Sequence, residues 1–219
     1  MSPDRDFFQK VLVKHERSYY FCRVMSKGTE TRDAILDTAV ALSSQVGLGG
    51  LSVGTLASRV EMSKSGLFAH FASKENLQLQ VLERAASRFL DTVVRPAFRA
   101  PRGEPRVRQL FDNWIRWAEA QSIPGGCPWV QYAAEFDDRS GPVRDRLVEQ
   151  QRGWIDILTD CVERAVAEGD FRQDLDCRQF AYELQSLMLG CHHFTRLLND
   201  PDAETRARRG FETLLKSAR

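Results

Sequence analysis

The segment that decides the fold runs from residue 52 to residue 75 and reads SVGTLASRVEMSKSGLFAHFASKE. It contains two short helical patterns, each starting at a serine, Ser52 or Ser63, that suits an N-cap. Helices of one or two turns are unstable alone, because nucleation is costly and about 12 residues are usually needed. The two helices therefore have to pack on the long helix that the pattern after Ser73 predicts. Three helices of this length form the smallest helix-turn-helix unit.

Helical patterns dominate the sequence on both sides of this segment, and strand patterns are nearly absent. A turn-rich break at residues 99–103 separates two groups of helices. The sequence predicts an all-α protein with a leader over residues 1–28, a three-helix domain over residues 29–89 and a larger helical domain over residues 90–219. The leader follows no clear period, and we hypothesise that translation starts at Met25.

The composition is that of a globular protein. Of 219 residues, 42% are hydrophobic and 28% are charged, which argues against a disordered tail or a collagen-like repeat. No apolar stretch approaches the ~18 residues that span a bilayer, and the five scattered cysteines suit a reducing cytosol. We therefore expect a soluble cytoplasmic protein. Because the formal net charge is only +1, any binding of nucleic acid has to depend on a local patch.

Several residues at fixed spacing resemble the N-terminal domain of the TetR family of bacterial transcriptional regulators. The resemblance covers residues 29–89, and the rest of the chain resembles the family only in its layout of long helices. It implies a DNA-binding homodimer whose larger domain binds a small molecule. The matching positions are Leu56-Ala57, Met62-Ser63-Lys64, Leu67-Phe68-Ala69-His70-Phe71 and Lys74-Glu75-x-Leu77.

The resemblance also implies how this domain contacts DNA. The helix after Ser63 would be the recognition helix in the major groove, with its first residues near base edges and phosphates. Later residues of that helix, the start of the next helix and the N-terminus of the preceding helix would lie on the phosphate backbone. The residues in these roles are Lys64, Ser65 and Gly66 in the first group, and Phe68, His70, Lys74 and Ser52 in the second.

Three positions depart from the family pattern and lower the expected affinity for DNA. Phe68 stands where the family usually has tyrosine, so one hydrogen bond to phosphate is missing. Glu61 occupies a turn position that is usually glycine, which places a negative charge near the expected DNA surface. Ser43 replaces a usual large aromatic residue and predicts a looser core.

Gly66 points to function on physical grounds alone. A glycine inside a short helix costs about 1 kcal/mol relative to alanine. Such a cost without a local structural benefit is typical of a functional position, and close approach of the backbone to a base or sugar would be the benefit here. The alternative is sequence drift without a role.

Aromatic residues are frequent in three consecutive predicted helices of the larger domain. Core packing explains each of them singly, but together they exceed what a small bundle needs, and cavities between helices are common ligand sites. We expect an apolar or aromatic effector to bind among them. The predicted effector-binding residues are Trp114, Trp117, Trp129, Tyr132, Phe136, Trp154, Met188 and His192.

The last two predicted helices carry an apolar seam with three-to-four spacing. Such a seam suits a dimer interface made of two helices from each subunit, which a symmetric DNA site requires. The alternative is a seam that packs inside one subunit. The predicted interface residues are Phe180, Leu184, Leu187, Cys191, Phe194, Leu198, Phe211 and Leu214.

Other chemistries match the sequence poorly. Cys191-His192-His193 does not suit a metal ion, because adjacent helical residues point about 100° apart and no complementary ligand pair is evident. No catalytic motif accompanies the histidines. Cys127 is expected to be a packed loop cysteine rather than a redox sensor, since no basic residue adjoins it to activate the thiol. We expect no metal, no cofactor and no catalytic residue.

Taken together, these patterns predict a homodimeric regulator that represses transcription from a palindromic operator and responds to a small molecule. Two alternatives stay open. One is a helical adaptor or small-molecule-binding protein that has lost DNA binding. The other is a helical enzyme that acts in the aromatic cavity, for which the sequence shows no catalytic pair.

Overall fold

The computed structural model describes residues 27–219, and that part of the chain is helical and contains no β-strand. The all-α prediction is confirmed. None of the described helices has the length and apolar content needed to cross a bilayer. The predicted leader and the hypothesis about Met25 fall outside the described residues, except that Lys27 and Gly28 are already helical. The helices are α1 (Lys27–Val46), α2 (Val53–Arg59), α3 (Lys64–Phe71), α4 (Lys74–Phe89), α5 (Glu104–Ala118), α6 (Pro128–Phe136), α7 (Pro142–Ala167), α8 (Cys177–Arg196) and α9 (Ala203–Ala218).

Serine side chains define where the helices around the deciding segment begin. Ser52 Oγ accepts the Thr55 N–H at 3.0 Å, and Ser63 Oγ accepts the Gly66 N–H at 3.0 Å. Ser73 Oγ caps α4 in the same way, also at 3.0 Å. Each cap pairs a donor that the first turn of a helix leaves without an intrahelical acceptor. The three predicted caps are therefore confirmed.

Pro96 does not end the helical run that begins with α4, although helices usually end at or before the residue preceding a proline. The helix continues through a π-helical turn, Leu90–Val94, into one more α-turn, Arg95–Ala97. Proline is tolerated there because it lies in the first turn of the new α segment, where its missing N–H is not needed.

The described chain divides into two compact units, and the first contains the helix-turn-helix. It comprises the described residues up to Arg88 together with Gln121–Gln151. Helices α1 to α3 and nearly all of α4 therefore share this unit with α6 and the first part of α7. We call α1–α4 up to Arg88 the head. The buried apolar residues of the first unit include Ile35, Ala39, Val40, Leu48, Leu51, Leu56, Leu67, Phe71, Leu77, Leu82, Tyr132 and Leu147.

The second unit comprises Phe89–Ala120 and Arg152–Arg219, and aromatic rings organise its core. The rings of Trp117 and Trp154 each pack edge-to-face with the ring of Phe89, at centroid distances of 5.7 and 4.9 Å. Edge-to-face pairs of this kind favour packing because the positive edge of one ring meets the negative face of another. The tryptophans of this unit thus contribute to a filled core.

Candidate nucleic-acid interface

Helix α3 packs one side into the head and exposes the other. Leu67 and Phe71 are the two buried residues among its eight. The turn before it is closed by the Met62 N–H, which donates to the Ala57 carbonyl at 2.9 Å. These contacts anchor a helix that is too short to be stable alone, and they leave its opposite side in contact with solvent.

Glu61 lies in the turn that leads into α3 and has a φ of +55°. This is the left-handed region, which costs a residue other than glycine roughly 1–2 kcal/mol. The cost is the physical reason why glycine suits this position. The side chain is exposed, so this departure from the family pattern leaves a carboxylate three residues before the start of α3.

Five of the predicted DNA-binding residues lie on α3. Lys64 and Ser65 are exposed, and Phe68 exposes 49% of its surface despite being aromatic. Gly66 and His70 are half-buried on the same helix. An exposed phenylalanine is consistent with ring contact to a partner, because most large apolar side chains of this unit are buried.

The remaining two predicted residues lie on the elements that flank α3. A Cβ built on Gly54 would lie 3.2 Å from Lys64 Cε and 3.8 Å from Ser52 Oγ, so Lys64 and Ser52 are neighbours. Lys74 Nζ donates to the carbonyl oxygen of Gly49 at 2.6 Å, in the turn between α1 and α2. The cationic and hydroxyl groups of the predicted residues thus come from three places, the N-cap of α2, helix α3 and the start of α4.

Gly66 has little internal reason to be glycine. A Cβ at this position would lie 3.1 Å from Ser63 Oγ and 3.7 Å from Met62 Cε. The first distance requires an adjustment of a few tenths of an ångström, and the second is ordinary contact. Internal packing therefore does not explain the residue, so close approach of an external partner and sequence drift remain its two possible explanations.

Two residues near this surface escaped the sequence analysis. Thr55 is exposed, and its Oγ1 lies 2.8 Å from Ser52 Oγ. A polar residue three positions after an N-cap was the signal available for it. Glu135 accepts the Gly49 N–H at 2.7 Å across a separation of 86 residues, and no local pattern could have indicated that contact.

The looser core expected at Ser43 is not found. Ser43 is fully buried, and its Oγ lies 2.5 Å from the hydroxyl oxygen of Tyr132 in α6. Burial raises the pKa of Tyr132 above its ordinary value, so the phenol stays neutral and can share a proton with the serine. An aromatic residue from a distant part of the sequence thus packs beside the small residue.

The structure distributes the predicted effector-binding residues over both compact units. Trp129, Tyr132 and Phe136 belong to the first unit, where Trp129 Nε1 donates to Gln150 Oε1 at 3.1 Å. The second unit holds Trp114, Trp117, Trp154, Met188 and His192.

Two residues of the second group, Trp114 and His192, line one small pocket of about 10 Å³ between α5 and α8. The Nε2 atom of His192 is buried there, and it has no hydrogen-bond partner among the described residues. Burial, reinforced by the positive charge of Arg196, lowers the pKa of His192 to about 4. The imidazole is therefore neutral at physiological pH and keeps one unused hydrogen-bonding atom.

An apolar groove of about 650 Å³ runs between α8 and α9. The two helices approach closely, since a Cβ on Gly210 would lie 2.7 Å from Leu187 Cδ2. The lining residues are Tyr182, Glu183, Ser186, Leu187, Gly190, Cys191, Phe194, Ala203, Arg206, Ala207, Gly210, Thr213, Leu214 and Ser217.

The predicted dimer residues divide between this groove and the core of the second unit. Leu187, Cys191, Phe194 and Leu214 line the groove, and Leu198 is exposed. Three others are buried inside the subunit: Phe180 packs near Phe171, Phe211 stacks on Phe111 at 4.2 Å, and Leu184 has no exposed surface. Tyr182, Leu189 and Leu197 are further exposed apolar residues that the three-to-four spacing did not indicate.

Two further candidates of the sequence analysis concern metal binding and the thiol of Cys127. Within residues 27–219, no three His, Cys, Asp or Glu side chains lie close enough together to hold a metal ion. Cys127 is buried, as expected of a packed loop cysteine.

Comparison with known proteins connects this geometry to a family. The family described as "Bacterial regulatory proteins, tetR family" matches residues 35–81, and the family "Tetracyclin repressor-like, C-terminal domain" matches residues 103–211. The transcriptional repressor NemR of Escherichia coli K12 is 27% identical over 143 residues, which cover 64% of this chain and 71% of NemR.

Two solved structures extend the likeness to nearly the whole fold. A TetR transcriptional regulator from Chloroflexus aurantiacus is 26% identical, covers 88% of this chain and 96% of its own, and has a TM-score of 0.74. AibR, solved with isovaleryl coenzyme A and operator DNA, shares the fold at 21% identity, with coverage of 81% and 94% and a TM-score of 0.64. The chain belongs to the TetR family of helix-turn-helix transcriptional regulators, and it is a DNA-binding regulator of transcription.

Proposed function

We propose that this protein represses transcription by binding a palindromic operator as a homodimer and that a small apolar or aromatic molecule controls the binding. The exposed side of α3 carries this proposal. Lys64 and Ser65 face solvent there, while Leu67 and Phe71 anchor the opposite side. The helix therefore offers donors to base edges and phosphates without giving up its own packing.

A second copy of the chain is the proposed occupant of the groove between α8 and α9. Apolar surface of this extent is costly in water and marks interaction sites. A two-fold pair also supplies two recognition helices, which can read half-sites about 34–36 Å apart in successive major grooves. Covering the groove and reading a palindrome are thus achieved by the same symmetric assembly.

The proposed effector binds in the second unit, beside Trp114 and His192. Their pocket of about 10 Å³ has to widen to admit a ligand, and a ligand with one hydrogen-bonding group would satisfy the buried Nε2 of His192. The proposal is supported by AibR, which binds isovaleryl coenzyme A and operator DNA on a similar fold. An effector that prefers one conformation by ~1–3 kcal/mol is sufficient to switch DNA binding. The proposed activity is regulatory and involves no chemical step.

Selection from a random pool of duplex DNA tests the proposal. The full chain should enrich an inverted repeat, and its affinity should fall with salt at a slope of about −0.9 for each phosphate that it neutralises. Light scattering on the selected complex should show two chains per duplex. Absence of enrichment at low ionic strength, or binding by a single chain, would contradict the proposed function.

A further inference from the structure

Glu135 of α6 is inserted into the turn between α1 and α2. Its Oε1 accepts the Gly49 N–H at 2.7 Å. A Cβ built on Gly49 would lie 2.0 Å from that same oxygen, and a Cβ on Gly47 would lie 2.7 Å from Oε2. The carboxylate therefore fits against the turn only because both positions are glycine.

The carbonyl group of Gly49 binds a lysine side chain. Lys74 Nζ donates to the Gly49 carbonyl oxygen at 2.6 Å. Lys74 is exposed at the start of α4, and it is one of the residues proposed to contact a DNA phosphate. Gly49 thus joins Glu135 to Lys74, with its N–H bonded to the carboxylate and its carbonyl bonded to the ammonium.

The turn needs such bonds because of its composition. Three of the four residues in 47–50 are glycine, and glycine loses more conformational freedom on ordering than any other residue. Without the Glu135 acceptor, the Gly49 N–H loses its partner and the turn gains alternative conformations. The carbonyl that positions the Lys74 ammonium then moves with it.

We propose that Glu135 is a positioning residue for the contact of Lys74 with DNA and that it acts through the two peptide groups of Gly49. This inference rests on the proposed DNA-binding function. It reaches beyond the helix-turn-helix, because Glu135 lies in the segment that matches the C-terminal domain family.

Considering charge alone, removal of Glu135 should change the affinity for DNA in the opposite direction from the one that the positioning role predicts. This difference makes the inference testable. A carboxylate near a polyanion lowers affinity, so its loss should strengthen binding if charge alone mattered. If Glu135 positions Lys74, its loss should weaken binding instead. The two accounts therefore differ in sign.

The experiment measures affinity for the selected operator over a range of salt concentrations. Glu135→Ala is expected to weaken binding about fivefold, as does the loss of one exposed ion pair at the upper end of its range. It should also reduce the salt slope by about 0.9, the value of one phosphate contact. Lys74→Ala should show the same two changes, and the double variant should bind no more weakly than either single variant.

Matched variants separate positioning from charge and from folding. Glu135→Gln keeps an oxygen acceptor for the Gly49 N–H and should keep wild-type affinity or bind slightly more tightly, because it removes a negative charge near DNA. Asp138→Ala removes an exposed carboxylate three residues further on and should leave affinity unchanged or slightly raised. Gly49→Ala places a methyl group where the Glu135 carboxylate lies and should also weaken DNA binding fivefold. This variant tests the same contact if Glu135→Ala does not fold.

The outcomes distinguish the inference from the function beneath it. The positioning role is wrong if Glu135→Ala or Gly49→Ala binds the operator as tightly as the wild-type protein does. Additive losses of affinity in the double variant would also overturn it. In each case the wild-type protein still binds DNA. Failure of the wild-type protein to bind any selected duplex would overturn the proposed function, and the positioning role with it.

Discussion

The protein exposes two helical surfaces that differ in chemistry. The solvent side of α3 is small and mostly polar, with Lys64 and Ser65 beside one half-exposed ring. The groove between α8 and α9 is large and apolar, and its lining residue Tyr182 exposes 66% of its surface.

The difference predicts how permanent each of the two proposed contacts would be. Polar groups stay hydrated when no partner is bound, so the surface on α3 can bind and release a polyanion reversibly. Apolar area gains about 25 cal/mol for every Å² removed from water, so the groove favours a lasting partner. One surface is suited to regulation and the other to assembly.

The largest expected effect is on α3. Gly66→Leu should reduce binding to the level of non-specific DNA, a loss of roughly 1,000-fold or more, because a side chain would replace the close backbone approach. The free energy of unfolding should rise by up to about 1 kcal/mol, since glycine is a poor helix former. Gel shift and urea unfolding measure the two quantities.

Ser87→Leu, at an exposed position of α4, is the control for adding a leucine to the surface of the same unit. It should leave DNA binding intact. Retained operator binding by Gly66→Leu would remove the close-approach explanation and leave drift as the account of the glycine.

The next effect concerns the groove. Replacing both Tyr182 and Phe194 with glutamate should raise the dissociation constant of the dimer about 100-fold or more, because two apolar side chains worth ~1.5–3 kcal/mol each would no longer be buried. Sedimentation velocity measures the shift. Val46→Glu is the control, since Val46 is 49% exposed but does not line the groove. A double variant that remains dimeric would place the interface elsewhere.

The buried His192 on α8 should make the free energy of unfolding depend on pH. Burial lowers the pKa of His192 to about 4, below its ordinary value of 6.5. The stability that the neutral form contributes is therefore complete above pH 6.5 and is lost as the pH falls toward 4. Between pH 7 and pH 5 the wild-type protein should lose about 2 kcal/mol more than His192→Phe.

Urea unfolding at the two pH values measures this difference. Helix α8 provides its own control, because the neighbouring His193 is exposed, and His193→Phe should keep the pH dependence of the wild-type protein. Equal pH dependence in the wild type and His192→Phe would show that the imidazole titrates normally.

The smallest effect is expected at the turn before α3. Glu61→Gly should strengthen operator binding a few-fold by removing a carboxylate near DNA. It should also relieve the left-handed φ of +55°, with a net gain of under about 1 kcal/mol, because the flexible unfolded chain offsets part of the relief. Glu61→Gln should gain affinity without stability. Unchanged affinity in both variants would place Glu61 away from DNA.

The head was predictable because its signals are local. Ser52 and Ser63 each accept a hydrogen bond from the backbone N–H three residues later. Leu67 and Phe71 lie on one side of a single helix. Capping and helical periodicity operate over a few residues, so a sequence displays them directly.

The seam in α8 and α9 shows where such reasoning ends. Periodicity identified an apolar side in each helix, but it could not tell a neighbour within the chain from a partner in solution. Phe211 stacks on Phe111 inside the subunit, whereas Phe194 remains 46% exposed. The predicted effector residues form one group in the sequence but lie in two compact units. Closeness in sequence does not decide which unit a helix joins.

The amino-acid sequence by itself determined the helices, their caps and the helix-turn-helix with its family. Tertiary structure alone decided which distant residues meet, as in the pairing of Ser43 with Tyr132 and of Gly49 with Glu135, which are 89 and 86 residues apart. The physical reason is range. Backbone preferences and periodicity act within a few helical turns, whereas contacts between remote segments depend on how the whole chain packs at once.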